Sequence, residues 1–134
     1  MNILFFLTPK SEVAYIYEDY TMRQVLEKME YHRYSSIPII NKDGKYIGTI
    51  TEGDLLWTLK NRFNLDLTVI EDIPITEVNR RKDNKPVYID ANIEDLISTS
   101  MNQNFVPVID DKDTFIGIIK RRDIIEYCYD KIKT

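Results

Sequence analysis

Ile37-Pro38-Ile39-Ile40, followed by Ile47-Gly48 and by Asp54-Leu55-Leu56, decides the fold because it occurs twice. The second copy reads Val106-Pro107-Val108-Ile109, Ile116-Gly117 and Asp123-Ile124-Ile125. Pro38 and Pro107, Gly48 and Gly117, and Asp54 and Asp123 are each 69 positions apart. A repeat of fixed period sets the architecture before any local feature does. The chain is one structural unit written twice.

Each copy predicts the same elements. A short β-like stretch comes first, residues 13–17 in copy one and 86–89 in copy two. Met22, Val25, Leu26 and Met29 then fall at i, i+3, i+4 and i+7, the single apolar stripe of an amphipathic helix. Ile93, Leu96, Ile97 and Met101 give the matching stripe in copy two. Thr21 and Asn92 stand where helix N-caps belong. A hairpin follows, residues 37–40 and 45–51 around Asn41-Lys42-Asp43-Gly44, and Asp-Gly is a strong turn signal. Asp110-Asp111-Lys112-Asp113 keeps the length without the glycine, so a different turn is expected. Pro38 and Pro107 lack an N–H and fit a strand start or edge, not a paired centre. Leu55, Leu56, Leu59 and Phe63 match Ile124, Ile125, Cys128 and Ile132 in a closing helix. Trp57 lies off that stripe, which suits an interface. Between the copies, residues 64–85 read as a packed connector ending in a basic, solvated loop from Asn79 to Lys85.

This order predicts an α+β fold, an α/β sandwich of two β-α-β-β-α units. Residues 1–66 form the first, and residues 67–134 form the connector and the second. One copy, about 67 residues, buries a marginal core alone, so the two are expected to act as one module. At 43% apolar and 30% charged, the 134-residue chain suits a folded protein, not a disordered one. The run from Ile3 to Leu7 is too short to span a bilayer and lacks the features of a signal peptide. It predicts a buried first strand or an edge segment, in a cytoplasmic protein with no membrane partner. Cys128, the one cysteine, excludes an internal disulfide and a cysteine metal cluster, and it reads as a small core residue. A net charge of −4 argues against broad nucleic-acid binding. With one His, one Cys and neither a glycine-rich phosphate loop nor a nucleophile–base signature, no catalytic residue and no enzyme activity are expected.

Two copies in register resemble the tandem cystathionine-β-synthase (CBS) domain pair. The family's unit runs apolar-Pro-Val/Ile-apolar-Asp, a turn, then apolar-Gly-apolar-apolar-Thr/Ser-x-x-Asp before a helix. Copy one supplies Ile37-Pro38-Ile39-Ile40-Asn41 and Ile47-Gly48-Thr49-Ile50-Thr51-Glu52-Gly53-Asp54. Copy two supplies Val106-Pro107-Val108-Ile109-Asp110 and Ile116-Gly117-Ile118-Ile119-Lys120-Arg121-Arg122-Asp123. The resemblance implies a pseudo-twofold CBS pair (a Bateman module) with clefts between the units. It further implies a non-enzymatic regulatory module, commonly a homodimer, that senses an adenosine-containing ligand such as AMP, ADP, ATP, S-adenosylmethionine or cyclic di-AMP for a regulated protein partner. The alternative is a ligand-free dimerisation or protein-interaction module.

The resemblance carries phosphate and ribose contacts onto Thr51 and Asp54. Physical chemistry supports both roles, because a helix N-terminus attracts phosphate and a carboxylate accepts from vicinal hydroxyls. Thr-x-x-Asp is equally close to a capping box, which satisfies the helix's own first N–H groups. Copy two keeps Asp123 but has Lys120 in place of Thr. Lys120, with Arg121 and Arg122, could neutralise phosphate, so the Asp123 site is expected to favour the more anionic ligand. A basic run is more often a solvated face. The resemblance also places a base slot near Tyr15 and Ile16, or Val87 and Tyr88, with a core strand as the plain alternative. It places phosphate-approaching positions at Ser35, Ser36 and Asn104, next to Phe105. His32 is expected to be an exposed helix-end residue. No metal ligand is expected.

Overall fold

Caps and hydrophobic spacing lay down each copy in the same order. The computed structural model describes residues 2–134. Strand β1 is Thr8–Pro9 and β2 is Ile16–Tyr17. Helix α1 is Met22–His32, followed by β3, Ser36–Ile40, β4, Tyr46–Thr51, and α2, Glu52–Phe63. Copy two supplies β5, Val87–Tyr88, α3, Ile93–Ser100, β6, Phe105–Ile109, β7, Phe115–Lys120, and α4, Arg121–Lys133. The fold is the expected α+β one.

The caps fall where the sequence places them. The Thr21 hydroxyl accepts from the Gln24 N–H, and the Gln24 side chain accepts from the Thr21 N–H, a complete capping box. Asn92 accepts from the Asp95 N–H at 2.8 Å. Arg33, at the left-handed φ of 58°, ends α1.

The chain folds into two compact units that are discontinuous in sequence. One gathers residues 14–43 and 47–83 around copy one. The other gathers residues 44–46 and 84–134 with the segment up to Val13 around copy two. The first has a sheet ordered β2-β3-β4 and a core of Ile16, Met22, Val25, Ile37, Ile50 and Leu55. The second has a sheet ordered β1-β7-β6-β5 and a core that includes Ile3, Leu96, Val106, Ile119 and Ile124. Burying each such side chain contributes about 1.5–3 kcal/mol.

Several sequence expectations are corrected. Pro107 sits at the middle of β6, which has neighbours on both sides. It lies opposite Ile118 of β7, and on its other side β5 pairs only with Val108 and Ile109, so β5 asks no N–H of Pro107. Pro38 stands likewise just before Ile39 and Ile40, where β2 pairs. The two hairpin turns are more alike than expected. Asp113 adopts φ 64° where Gly44 adopts φ 79°. The Asp110 carboxylate accepts from the Lys112 and Thr114 N–H groups, and these bonds hold its pKa below the usual carboxylate value. Asp tolerates the left-handed region well enough to replace glycine there.

The N-terminal run is a 3-10 turn, Ile3–Phe6, that buries Ile3 and Phe6 at i and i+3, and only Thr8–Pro9 forms the edge strand. Met101 is exposed, because α3 ends one residue earlier and Ser100 takes the buried position. Leu56, Ile125 and Ile132 face outward, so the closing-helix stripe splits into a buried row at Leu55, Leu59 and Ile124 and an exposed one. Cys128 is half-buried against the copy-two core.

The two motif glycines answer to close approaches of different segments. At Gly117, φ 154°, a Cβ would overlap the Thr8 carbonyl oxygen of β1. At Gly48 a Cβ would lie 2.7 Å from both the Arg80 Nε and the Asp83 Oδ1, which are side-chain ends able to shift. Gly117→Ala is therefore expected to cost about 1–3 kcal/mol through overpacking against fixed backbone. Gly48→Ala should cost less. Urea denaturation of both variants checks the order, and equal losses would contradict it.

Candidate functional site

Thr51 begins α2 because its extended backbone turns into the helix while its hydroxyl accepts from the Asp54 N–H at 3.0 Å. Asp54 Oδ2 returns the bond, accepting from the Thr51 N–H at 3.1 Å. Asp54 Oδ1 accepts from the Arg81 backbone N–H, also at 3.1 Å. Both carboxylate oxygens of Asp54 thus hold the fold's own amides, and the residue is 7% exposed. The capping alternative raised by the sequence is realised here.

The matching start of α4 is built differently. Lys120 occupies the N-cap position, is exposed, and makes no side-chain cap bond. Asp123 is half-buried and makes no hydrogen bond among the described residues. It borders an open depression of about 370 Å³ whose walls include Phe5, Phe6, Thr8, Glu126 and Asp130.

The Arg121 Nε donates to the Ser100 and Gln103 carbonyls, each at 2.9 Å, and so ties off the C-terminus of α3. With Arg121 engaged and two further carboxylates at the depression, the Lys120–Arg122 run offers less free positive charge than its composition suggests.

The flanking residues converge on these helix starts. The Ser35 carbonyl accepts from the Glu52 N–H at 2.9 Å, and the Asn104 carbonyl accepts from the Arg121 N–H at 3.0 Å. Ser35 therefore stands at the corner of Thr51 and Asp54, and Asn104 at that of Lys120 and Asp123. Ser36 follows as the first residue of β3 and is half-buried.

The two base-slot candidates differ in what they show. Ile16 is fully buried in its core, and Val87 is nearly so. Tyr15 packs edge-on against Tyr17, with ring centroids 5.7 Å apart, and Lys28 lies 5.6 Å from its ring. The Lys28 amine also donates to the Tyr15 carbonyl at 2.6 Å, and burial pushes its pKa down. Tyr88 is 52% exposed, and its hydroxyl donates to Asp113, which raises the phenol's pKa.

His32 is half-buried rather than exposed, stacked on Tyr34 with centroids 5.3 Å apart. Trp57 is 56% exposed, with the Lys60 amine 5.7 Å from its ring. No group of acidic, His or Cys side chains able to hold a metal occurs among the described residues. Among the same residues no helix is long and apolar enough to cross a membrane.

The connector holds what sequence reasoning missed. Residues 79–85 are not a free loop. Asp83 Oδ1 accepts from the Thr49 N–H at 2.9 Å and from the Arg80 Nε at 2.8 Å, and the Arg80 Nη2 reaches the Ile47 carbonyl at 3.5 Å. Gln103, nearly buried, exchanges bonds with the Lys85 backbone, accepting from its N–H and donating to its carbonyl. The glycine at position 48 was the one available signal of a close neighbour.

The sequence model of the CBS domain matches twice, at residues 6–61 and 70–130. The chain belongs to the CBS domain family. It carries two CBS domains, the pair that its internal duplication implies. Among its relatives is the uncharacterized protein MJ1426 of Methanocaldococcus jannaschii, 28% identical, the match covering 83% of each chain. The uncharacterized protein MJ1225 of the same organism is 24% identical, and the match spans 94% of this chain but 49% of that one. Of solved structures, a CbpB in complex with c-di-AMP superposes with TM-score 0.85 at 25% identity, covering 99% of this CBS pair and 87% of that chain.

The unequal helix starts predict unequal stability losses. Asp54→Ala removes a cap and strands the Thr51 and Arg81 amides, a cost of about 2–4 kcal/mol. Asp123→Ala should cost under about 0.5 kcal/mol, as at a surface position. Thermal and chemical denaturation of the two variants measures the gap, and comparable losses would contradict the bonding described.

Proposed function

We propose that this CBS pair is a non-enzymatic regulatory module that senses an adenosine-containing ligand through its helix starts. The observation that carries the reading is Asp123, a half-buried carboxylate at the start of α4 without a side-chain partner among the described residues. A ribose offers two vicinal hydroxyls, the donors such a group lacks. The α4 N-terminus adds a partial positive charge suited to phosphate. Lys120 beside it supplies one cation, and Asn104 closes the corner. Tyr88 is the most accessible of the aromatic candidates for stacking a base. The CbpB structure holds c-di-AMP, and a CBSX2 structure of the same fold holds AMP, which supports an adenine-containing ligand as the class to test.

Ligand binding can act on a regulated partner only by stabilising one arrangement of the module over another. The reading includes a cytoplasmic homodimer. Its support is an apolar groove of about 560 Å³ between α1 and α2, walled by Leu26, Met29, Leu55 and Leu56, and its counterpart of about 340 Å³ between α3 and α4, walled by Ile97, Met101, Ile124 and Ile125. Each unit thus presents the same two-helix face, which suits a second copy. A second reading, a ligand-free interaction module, is favoured by Asp54, whose oxygens both serve the fold.

Isothermal calorimetry with AMP, ATP, S-adenosylmethionine and cyclic di-AMP decides between the readings. Asp123→Ala should weaken the preferred ligand by about 10–150-fold, the equivalent of a charged hydrogen bond of about 1.5–3 kcal/mol. Unchanged affinity would overturn the assignment, and no binding by the wild type would favour the second reading. Leu56→Glu combined with Ile125→Glu should convert the dimer to monomer in light scattering. A dimer that survives both charges is not built on these faces.

A further inference from the structure

The segment Arg80–Asp83 lies over the first helix start as a ligand would. Its Arg81 N–H donates to Asp54 Oδ1, the acceptor that a sugar hydroxyl would need. Two contacts to β4 fix it, from the Thr49 N–H to Asp83 and from the Arg80 Nη2 to the Ile47 carbonyl, while Arg80 and Asp83 brace each other within the segment. The Arg80 and Asp83 side chains also occupy the space that the absent Cβ of Gly48 leaves beside β4. Copy two has no equivalent closure. There the segment lying along β7 is β1, which pairs at Thr8 and Pro9 and leaves Asp123 with no bond among the described residues.

We propose that Arg80–Asp83 is a built-in occupant of the Thr51–Asp54 site, a strap that must lift before a ligand can enter. The inference rests on the reading of these helix starts as nucleoside sites and adds their regulation. In the resting protein the two sites are unequal, with Asp123 open and Asp54 held shut. Ligand affinity at Asp54 is lowered by the fraction of molecules whose strap is closed. Lifting the strap also releases the Arg80 guanidinium from the Ile47 carbonyl, and a guanidinium is the side chain best shaped to take phosphate oxygens in two parallel bonds. The strap would then change from competitor to contact.

The test is calorimetry of the wild type and two strap variants, Arg80→Gln and Gly48→Ala, with the same four adenosyl compounds. Arg80→Gln removes the side-chain anchor. Gly48→Ala pushes the anchor aside by a route that leaves Arg80 intact. The expected result is a second binding event in either variant, or one about tenfold tighter than in the wild type. Adding Asp54→Ala to the variant should abolish it. Amide exchange at Arg81 gives a readout free of ligand, with slow exchange in the wild type and faster exchange in each variant. If the folded variants show no Asp54-dependent gain for any of the four compounds, the strap is not a gate. An Arg81 amide that stays protected while both sites are filled overturns it equally. Failure of the underlying reading looks different, as binding that is indifferent to Asp123→Ala.

Discussion

The outer edge of a short sheet is the constraint from which the rest of this structure follows. β4 and β7 each end their hairpins with a row of backbone groups that need partners. Copy two meets the need with a strand, β1, brought from the start of the chain. Copy one meets it with a carboxylate, since Asp83 accepts from the Thr49 N–H. Both solutions require the covering segment to come closer than a side chain allows, hence Gly48 and Gly117 at equivalent positions. The chemistry at the neighbouring helix start depends on which solution is used. A strand pairs with the backbone and brings no amide to Asp123 among the described residues, whereas the carboxylate-anchored loop delivers the Arg81 amide to Asp54.

A duplication of sequence has therefore not produced a duplication of sites. Thr51 and Lys120 are the visible difference, one a cap and the other unable to accept a hydrogen bond. The less visible difference is larger. Asp54 and Asp123 share a position and a residue type, yet one is an internal acceptor with both oxygens used and the other borders open space. The basic stretches invert in the same way. Arg121 spends its Nε–H on two carbonyls, and Arg80 spends its own on Asp83.

Much of this was legible in the chain, for reasons that can be named. The 69-residue offset fixed element order, and Thr21, Thr51 and Asn92 marked helix starts because caps act through side chains only three residues away. Ser35 and Asn104, singled out as phosphate-approaching positions, each offer a carbonyl to the first N–H of the neighbouring helix. What escaped reading was of another kind. A backbone amide at Arg81 bonding a carboxylate 27 residues earlier leaves no mark in residue type, so the connector read as solvated. Pro107 misled because the rule about paired strands concerns its neighbours, and the shortness of β5 is not encoded near the proline. Asp113 misled because a left-handed residue need not be glycine when Asp110 gathers the turn's amides.

The crossing of segments between copies has a bearing on biosynthesis. Thr8 leaves the ribosome early, but its partner Ile118 is more than a hundred residues behind it. The opening stretch must wait, with Ile3 and Phe6 uncovered, until the final hairpin emerges. The unit built on copy one needs nothing beyond Asp83 and can close first. During translation the β1–β7 pairing therefore forms after the unit built on copy one can close.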